Sequence, residues 1–202
     1  MDIGAAIKAP MEDKEWIKKC IIIALICIIP IAGILNLLGW LAATYKNVRA
    51  GTKDLPEANL SYIGAGWWLF VALLPLVGVS IGFQILIQIL VQATGSGIVA
   101  LIGALLNLVV SLAVAIAYPA AMLLHLEKGY RWAGAKFGEI IPLMTGNVGP
   151  YVMFLVLAFV AGIIGGAGMI ACGVGMLLTM PWCYAIMANG LAQLAKETKL
   201  AA

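Results

Sequence analysis

Four stretches of this chain, residues 20–45, 62–94, 98–125 and 151–195, contain no Asp, Glu, Lys or Arg. A helix needs about 20 apolar residues to cross the hydrocarbon core of a bilayer. A soluble fold would have to cover such runs with polar surface, and a soluble domain carries about 25% charged residues. This chain has 10%, against 64% hydrophobic residues and a mean hydropathy of +1.08. The bilayer is therefore its solvent, and an all-α polytopic membrane protein is the expected fold class.

The net charge of +3 is small and sits at the ends of the apolar runs. That placement reads as membrane orientation and speaks against a nucleic-acid partner. The opening "MDIGAAIKAPMEDKEWIKKC" mixes acids with bases, and the apolar run after it is longer than a signal-peptide core. It reads as part of the mature chain. Cys20, Cys27, Cys172 and Cys183 all lie in apolar runs and form no CxxC pair. They read as small hydrophobes, and with a single histidine neither a zinc site nor another cofactor is expected.

The stretch 62–94 is separated from 98–125 by "GSG", and 151–195 is long enough for two spans with "GIIGGAG" (162–168) as the turn. Four spans follow. The stretch 20–45 suffices for one crossing but not two, and Pro30 and Gly33 interrupt it. Lys and Arg cluster at 8–19, 46–53, 128–136 and 196–199, and the turns at 95–97 and 162–170 carry none. If 20–45 dips in and returns, every basic cluster lies on one side, the cytoplasm by the positive-inside rule. Trp16, Trp40, Tyr45, Tyr62, Trp67, Trp68, Tyr130, Trp132 and Tyr151 sit beside the same clusters, as an aromatic belt does. The preferred reading is a re-entrant hairpin at 18–46 followed by full hairpins at 62–126 and 149–196. Both termini and the basic loops then face the cytoplasm. Five simple crossings, with the termini on opposite sides, stay open. In the re-entrant reading the tip at Pro30 must be buried in protein. The segments 10–19 and 130–144 read as interfacial amphipathic helices or as capped connectors.

Pro30, Pro75, Pro119 and Pro181 mark expected helix breaks. Gly39 and Gly190 each follow a proline by nine residues, a weak internal repeat. Asn36 and Asn189 lie on the two repeated arms, where they are expected to bond the carbonyls that proline frees.

The polar pattern inside the spans is sparse and ordered. Ser80, Gln84, Gln88 and Gln92 recur every fourth residue. At about 40° of drift per step they form a stripe roughly 120° wide on an otherwise apolar helix. Asn107, Ser111, Tyr118 and His125 form a second stripe within about 40°. Folding at 95–97 pairs Gln84 with Asn107 and Ser80 with Ser111 in an antiparallel seam. Such a seam faces protein or water rather than lipid. It reads as interhelical glue, or as the wall of a pathway for a neutral or lipid-like solute. An interfacial catalytic site around His125 and Glu127 is the third reading, with no nucleophile–base spacing to support it. Ala158, Gly162, Gly166 and Gly173 form a small-residue face suited to close helix packing, within the last hairpin or against another chain.

Several segments together resemble a known family. They are the opening "MDIGAAIKAPMEDKEWIKK", Pro30, Gly39–Trp40, the basic run from Lys46 to Arg49, Gly51, and Leu55–Pro56. Gly66, Pro75, the connector "LEKGYRWAGAKFGEI" and the terminal "GVGMLLTMPWCYAIMANGLAQL" complete the pattern. The chain is similar to the domain-of-unknown-function 4013 membrane proteins of bacteria and archaea. The resemblance implies a prokaryotic integral membrane protein and carries over no catalytic set. The overall expectation is a noncatalytic accessory or assembly subunit whose partners are the bilayer and other membrane subunits or a second copy of itself.

Overall fold

A computed structural model describes residues 1–168, 175–198 and 200. All regular structure among them is helical. Eight α-helices follow in order: α1 (Ile3–Lys8), α2 (Trp16–Cys27), α3 (Ala32–Arg49), α4 (Ile63–Thr94), α5 (Gly97–Lys128), α6 (Phe137–Thr145), α7 (Val148–Ala167) and α8 (Met176–Glu197). Short 3-10 turns occupy Ala9–Glu12 and Ala133–Ala135. Three helices, α4, α5 and α7, are long and apolar enough to cross a membrane. The fourth expected span, at 170–195, corresponds to α8. Its Thr179, Asn189 and Gln193 dilute its hydropathy, and it is not among those three.

The chain divides into two compact units, one formed by Met1–Phe70 with Thr145–Ala202 and one by Val71–Met144. In the first, α8 is the hub, packed by α1, α2, α3 and α7. Its Ala185, Ile186, Ala188, Leu191, Ala192 and Ala195 are fully buried. Small residues let its neighbours approach closely. The α7–α8 contact runs through Phe154, Leu157 and Ala161 against Ile186 and Gly190. A Cβ on Gly165 would stand 3.3 Å from that of Cys183, and Thr179 Oγ1 donates to the Gly165 carbonyl at 2.9 Å. Helix α7 runs through the expected turn at 162–168 as far as Ala167. Gly162 and Gly166 face open space and Ala158 is half-buried. Gly173 and Cys172 lie outside the described residues. The close-packing register is thus 161 and 165, one position away from 158, 162 and 166.

Helices α2 and α3 lie against each other across a turn at 28–31. The turn places Ile31 at φ +63°, a strained value for a β-branched residue. Its backbone is bonded locally: Ile28 N donates to Leu25 O (3.2 Å), Ile29 N to Ile26 O (3.0 Å) and Gly33 N to Ile29 O (2.9 Å). Pro30 is exposed, as are Ile28, Ile29, Ile31 and Ile34. The expectation that protein would wrap this tip is corrected. Local turns bond the amides of residues 28, 29, 32 and 33, and the tip presents isoleucine side chains.

The chain leaves helix at Pro30, whereas Pro75, Pro119 and Pro181 sit inside the continuous helices α4, α5 and α8. Gly39 and Gly190, the repeat glycines, are both close-approach points. A Cβ on Gly39 would overlap the Tyr62 carbonyl, and one on Gly190 would overlap the Leu157 side chain. On the facing element a Cβ on Gly66 would overlap the Leu35 carbonyl, so the backbones of α3 and the start of α4 touch.

The N-terminal segment docks on α7 and α8 through Ala6, which meets Leu157, Ala161 and Ile186. Asp2 N donates to Gln193 Oε1 at 2.7 Å, Gln193 Nε2 returns to Asp2 O at 3.2 Å, and the Met1 ammonium pairs with Glu197.

Candidate functional site

Two polar arrangements stand out, one in each unit. In the first unit, buried side chains hold the loop 50–62 onto α2 and α3. Asp13 and Lys19 are 4% and 6% exposed and pair at 2.9 Å. Lys19 Nζ also donates to Leu55 O at 2.7 Å, and Leu55 N donates to Asp13 Oδ2 at 2.9 Å. Glu15 N caps the same carboxylate at Oδ1, 2.7 Å away. Burial alone would raise the Asp13 pKa. The Lys19 ammonium and the two amides outweigh it and hold the carboxyl below its ordinary value of 3.8. Burial likewise works to lower the Lys19 pKa, and Asp13, helped by Glu57 and Asp54, raises it instead.

Further along, Trp40 Nε1 donates to Pro56 O at 3.3 Å and Asn47 Nδ2 to Asp54 O at 3.1 Å. Fully buried Asn36 donates to Asn59 O at 2.9 Å and accepts from Tyr62 N at 3.3 Å. Asn36 therefore secures the loop rather than a carbonyl freed by proline. Asn189 Nδ2 bonds the Ala185 carbonyl four residues back, at 2.9 Å. Sequence reasoning missed the Asp13–Lys19–Leu55 clasp. Its signal was a mixed-charge segment that could equally have been solvated surface.

The second arrangement lies on the hairpin of α4 and α5. The turn at its tip uses Gly95 at φ +58°, and Ser96 caps α5 by accepting from Val99 N at 3.5 Å. The two arms touch where Gly103 meets the Ile87 side chain. A groove of about 590 Å³ opens between them, lined by Gln84, Gln88 and Gln92 from α4 and Asn107 from α5, with Ile81, Ile85 and other apolar residues. The three glutamines are exposed and bond no described residue. Asn107 Oδ1 is shut off from solvent and has no donor. Gln84 and Asn107 thus share one groove without a hydrogen bond between them. Ser80 and Ser111 are half-buried outside it, as is Tyr118. His125 lies near the end of α5, where its Nδ1 donates to the Tyr130 carbonyl at 2.9 Å across the Gly129 cap.

Around this groove the hairpin is bare. Val79, Ile85, Ile89, Ile98, Leu101, Leu105 and Val109 are between 46% and 72% exposed. Buried residues of this unit gather instead at 71–76, 117–124 and 133–143. There Gly134 lets the 3-10 turn press against Ala72 and Leu76 of α4. Glu139 accepts from Lys128 at 2.6 Å, and the Lys128 and Lys136 ammonium groups lie 5.8 and 5.3 Å from the Tyr130 ring centre. Trp132, Phe137 and Ile141 are exposed beside them.

Among the described residues no group of His, Cys, Asp and Glu has the spacing of a metal site. A family model described as "Protein of unknown function (DUF4013)" matches residues 22–174. No curated protein and no solved structure matches the chain.

Proposed function

The chain belongs to the DUF4013 family of proteins of unknown function, and from that premise we propose that it is a noncatalytic integral membrane protein serving as an assembly subunit of a larger membrane complex. The observation that carries this reading is the bare α4–α5 hairpin with its unsatisfied amides. Lipid tails offer an amide no hydrogen bond, and polar groups inside a membrane face protein or water. A hairpin whose amides and apolar flanks lack partners within its own unit is suited to contact another helix. His125 Nδ1 donates to the Tyr130 carbonyl, which ties the end of α5 to the connector that follows it.

The topology we propose has both termini on the cytoplasmic side of a prokaryotic inner membrane and a first hairpin, α2–α3, that re-enters without crossing. Helix α2, with 12 residues, is about 18 Å long, short of the roughly 30 Å core. The hydrogen bonds between Asp2 and Gln193 favour termini on one side. Reporter fusions at Met1 and Ala202 test this: opposite-side signals would leave the five-crossing arrangement.

A second reading, transport of a neutral or lipid-like solute, draws on the groove itself. Its volume lies within the roughly 300–1,000 Å³ range of small-molecule sites, and amides line it. Gentle purification from the source membrane with mass spectrometry of what accompanies the chain separates the two. Stoichiometric protein partners are expected. A lone chain carrying one lipid or solute would move the assignment to transport. His125→Ala is expected to leave the native phenotype intact, and its loss would revive a catalytic role.

A further inference from the structure

We infer that the groove on the α4–α5 hairpin is filled by the α4 helix of a second copy of this chain, with Gln84, Gln88 and Gln92 of the two copies pairing across a two-fold axis along the membrane normal. The inference rests on the assembly reading, in that it takes protein rather than lipid to cover the amides. Acyl tails would leave three exposed glutamines without partners. The occupant must supply donors and acceptors at one helical turn's spacing, about 6 Å apart. Helix α4 itself carries that spacing, and a glutamine amide is both donor and acceptor, so the ladder complements itself.

Two copies inserted the same way round have parallel α4 helices, so each glutamine meets its own equivalent. This is the rule of a closed two-fold interface. A four-residue repeat suits a right-handed crossing of about −40 to −50°. Contact is then tightest at the middle rung, Gln88. Asn107 lies at the depth of Gln84, counting outward from the turn at Gly95 and Ser96. It lines the same groove and frames the second copy's helix at that rung.

The test is cysteine crosslinking of the full chain in its native membrane. The cysteines of the chain all lie outside α4 and α5, and the unsubstituted chain measures their background. Oxidation of Gln88→Cys should give a covalent dimer several-fold above Leu86→Cys, which faces away from the stripe, with Gln84→Cys and Gln92→Cys intermediate. Co-expressed Gln84→Cys and Gln92→Cys chains should form no mixed dimer, because parallel helices keep those rungs apart. In bilayers, the Gln84→Leu, Gln88→Leu, Gln92→Leu triple variant should migrate as a monomer while keeping the helical content of the parent. No dimer at position 88, or equal dimer at Leu86→Cys, would overturn the self-pairing. So would a triple variant that stays dimeric. If other subunits co-purify while position 88 stays monomeric, the self-pairing alone fails. If position 88 crosslinks and nothing else co-purifies, the self-pairing stands and the larger complex does not.

Discussion

Asn36 and Gln88 carry the same amide group in the same chain, and their surroundings are opposite. Asn36 is fully buried and uses both ends of its amide, on Asn59 and Tyr62. Gln88 is exposed in a groove and bonds no described residue. The contrast extends to the two regions around them. In the unit built on α8, Asp13, Lys19, Trp40 and Asn36 all bond the backbone of the loop 50–62. On the α4–α5 hairpin the amides have apolar neighbours and nothing to bond. A polar group that closes a fold is satisfied inside it, and the hairpin glutamines find no such partner in their own unit.

The sharpest way to break this comparison is at the clasp. Lys19→Met leaves Asp13 buried and uncompensated, which costs about 3–5 kcal/mol. Unfolding titrations in detergent micelles should show it, and removing both partners together should cost less. A null effect would mean that water reaches Asp13. The same pair sets a pH window. The carboxyl has a folded pKa below its unfolded value, so its contribution is complete above the ordinary carboxylate range and is lost as pH falls through the lowered value. The Lys19 contribution is complete below 10.5, its ordinary pKa, and is lost as pH rises through the raised one. Thermal stability should therefore be flat from pH 6 to 9 as far as this pair is concerned, and fall below about pH 4.

Next in size is Gly39→Val, which drives a side chain into the Tyr62 carbonyl. Overpacking costs about 1–3 kcal/mol, and with rigid backbone as the obstacle the upper end is expected by the same titration. Asn36→Leu should follow at about 1–3 kcal/mol, since it strands the Asn59 carbonyl and the Tyr62 amide. The smallest effect belongs to the hairpin. Gln88→Leu should change monomer stability by about 0.6 kcal/mol or less, the average for polar contacts between membrane helices. A loss as large as that of Asn36→Leu in the monomer would show that the glutamines serve their own fold, and the distinction between the regions would collapse.

Much of this was legible in the residues. Uncharged apolar runs admit no soluble fold, so the membrane class and the helical content followed from composition and length. The stripe of Ser80, Gln84, Gln88 and Gln92 could be placed on one face of a helix because helical periodicity is a local property. The shared depth of Gln84 and Asn107 followed from counting outward from the 95–97 turn. The family resemblance rested on loose motifs spread along the chain, and the matching family model covers residues 22–174.

Tertiary structure decided what depends on which surfaces meet. Only packing shows that Asp13 and Lys19 are buried. Their segment reads as solvated charge until the loop carrying Leu55, 36 residues beyond Lys19, folds over it. Only packing shifts the α7 contact to Ala161 and Gly165, because a one-residue rotation about the helix moves a stripe by about 100° and small residues occupy both registers. The tip at Pro30 is solved by local turns instead of a protein sheath, since the amide hydrogen bonds of residues 28, 29 and 33 close on the preceding turn. Periodicity along one helix is written in the sequence, but the identity of the neighbour across from it is a long-range property, and there the folded chain alone distinguishes the bonded amide of Asn36 from the unbonded one of Gln88.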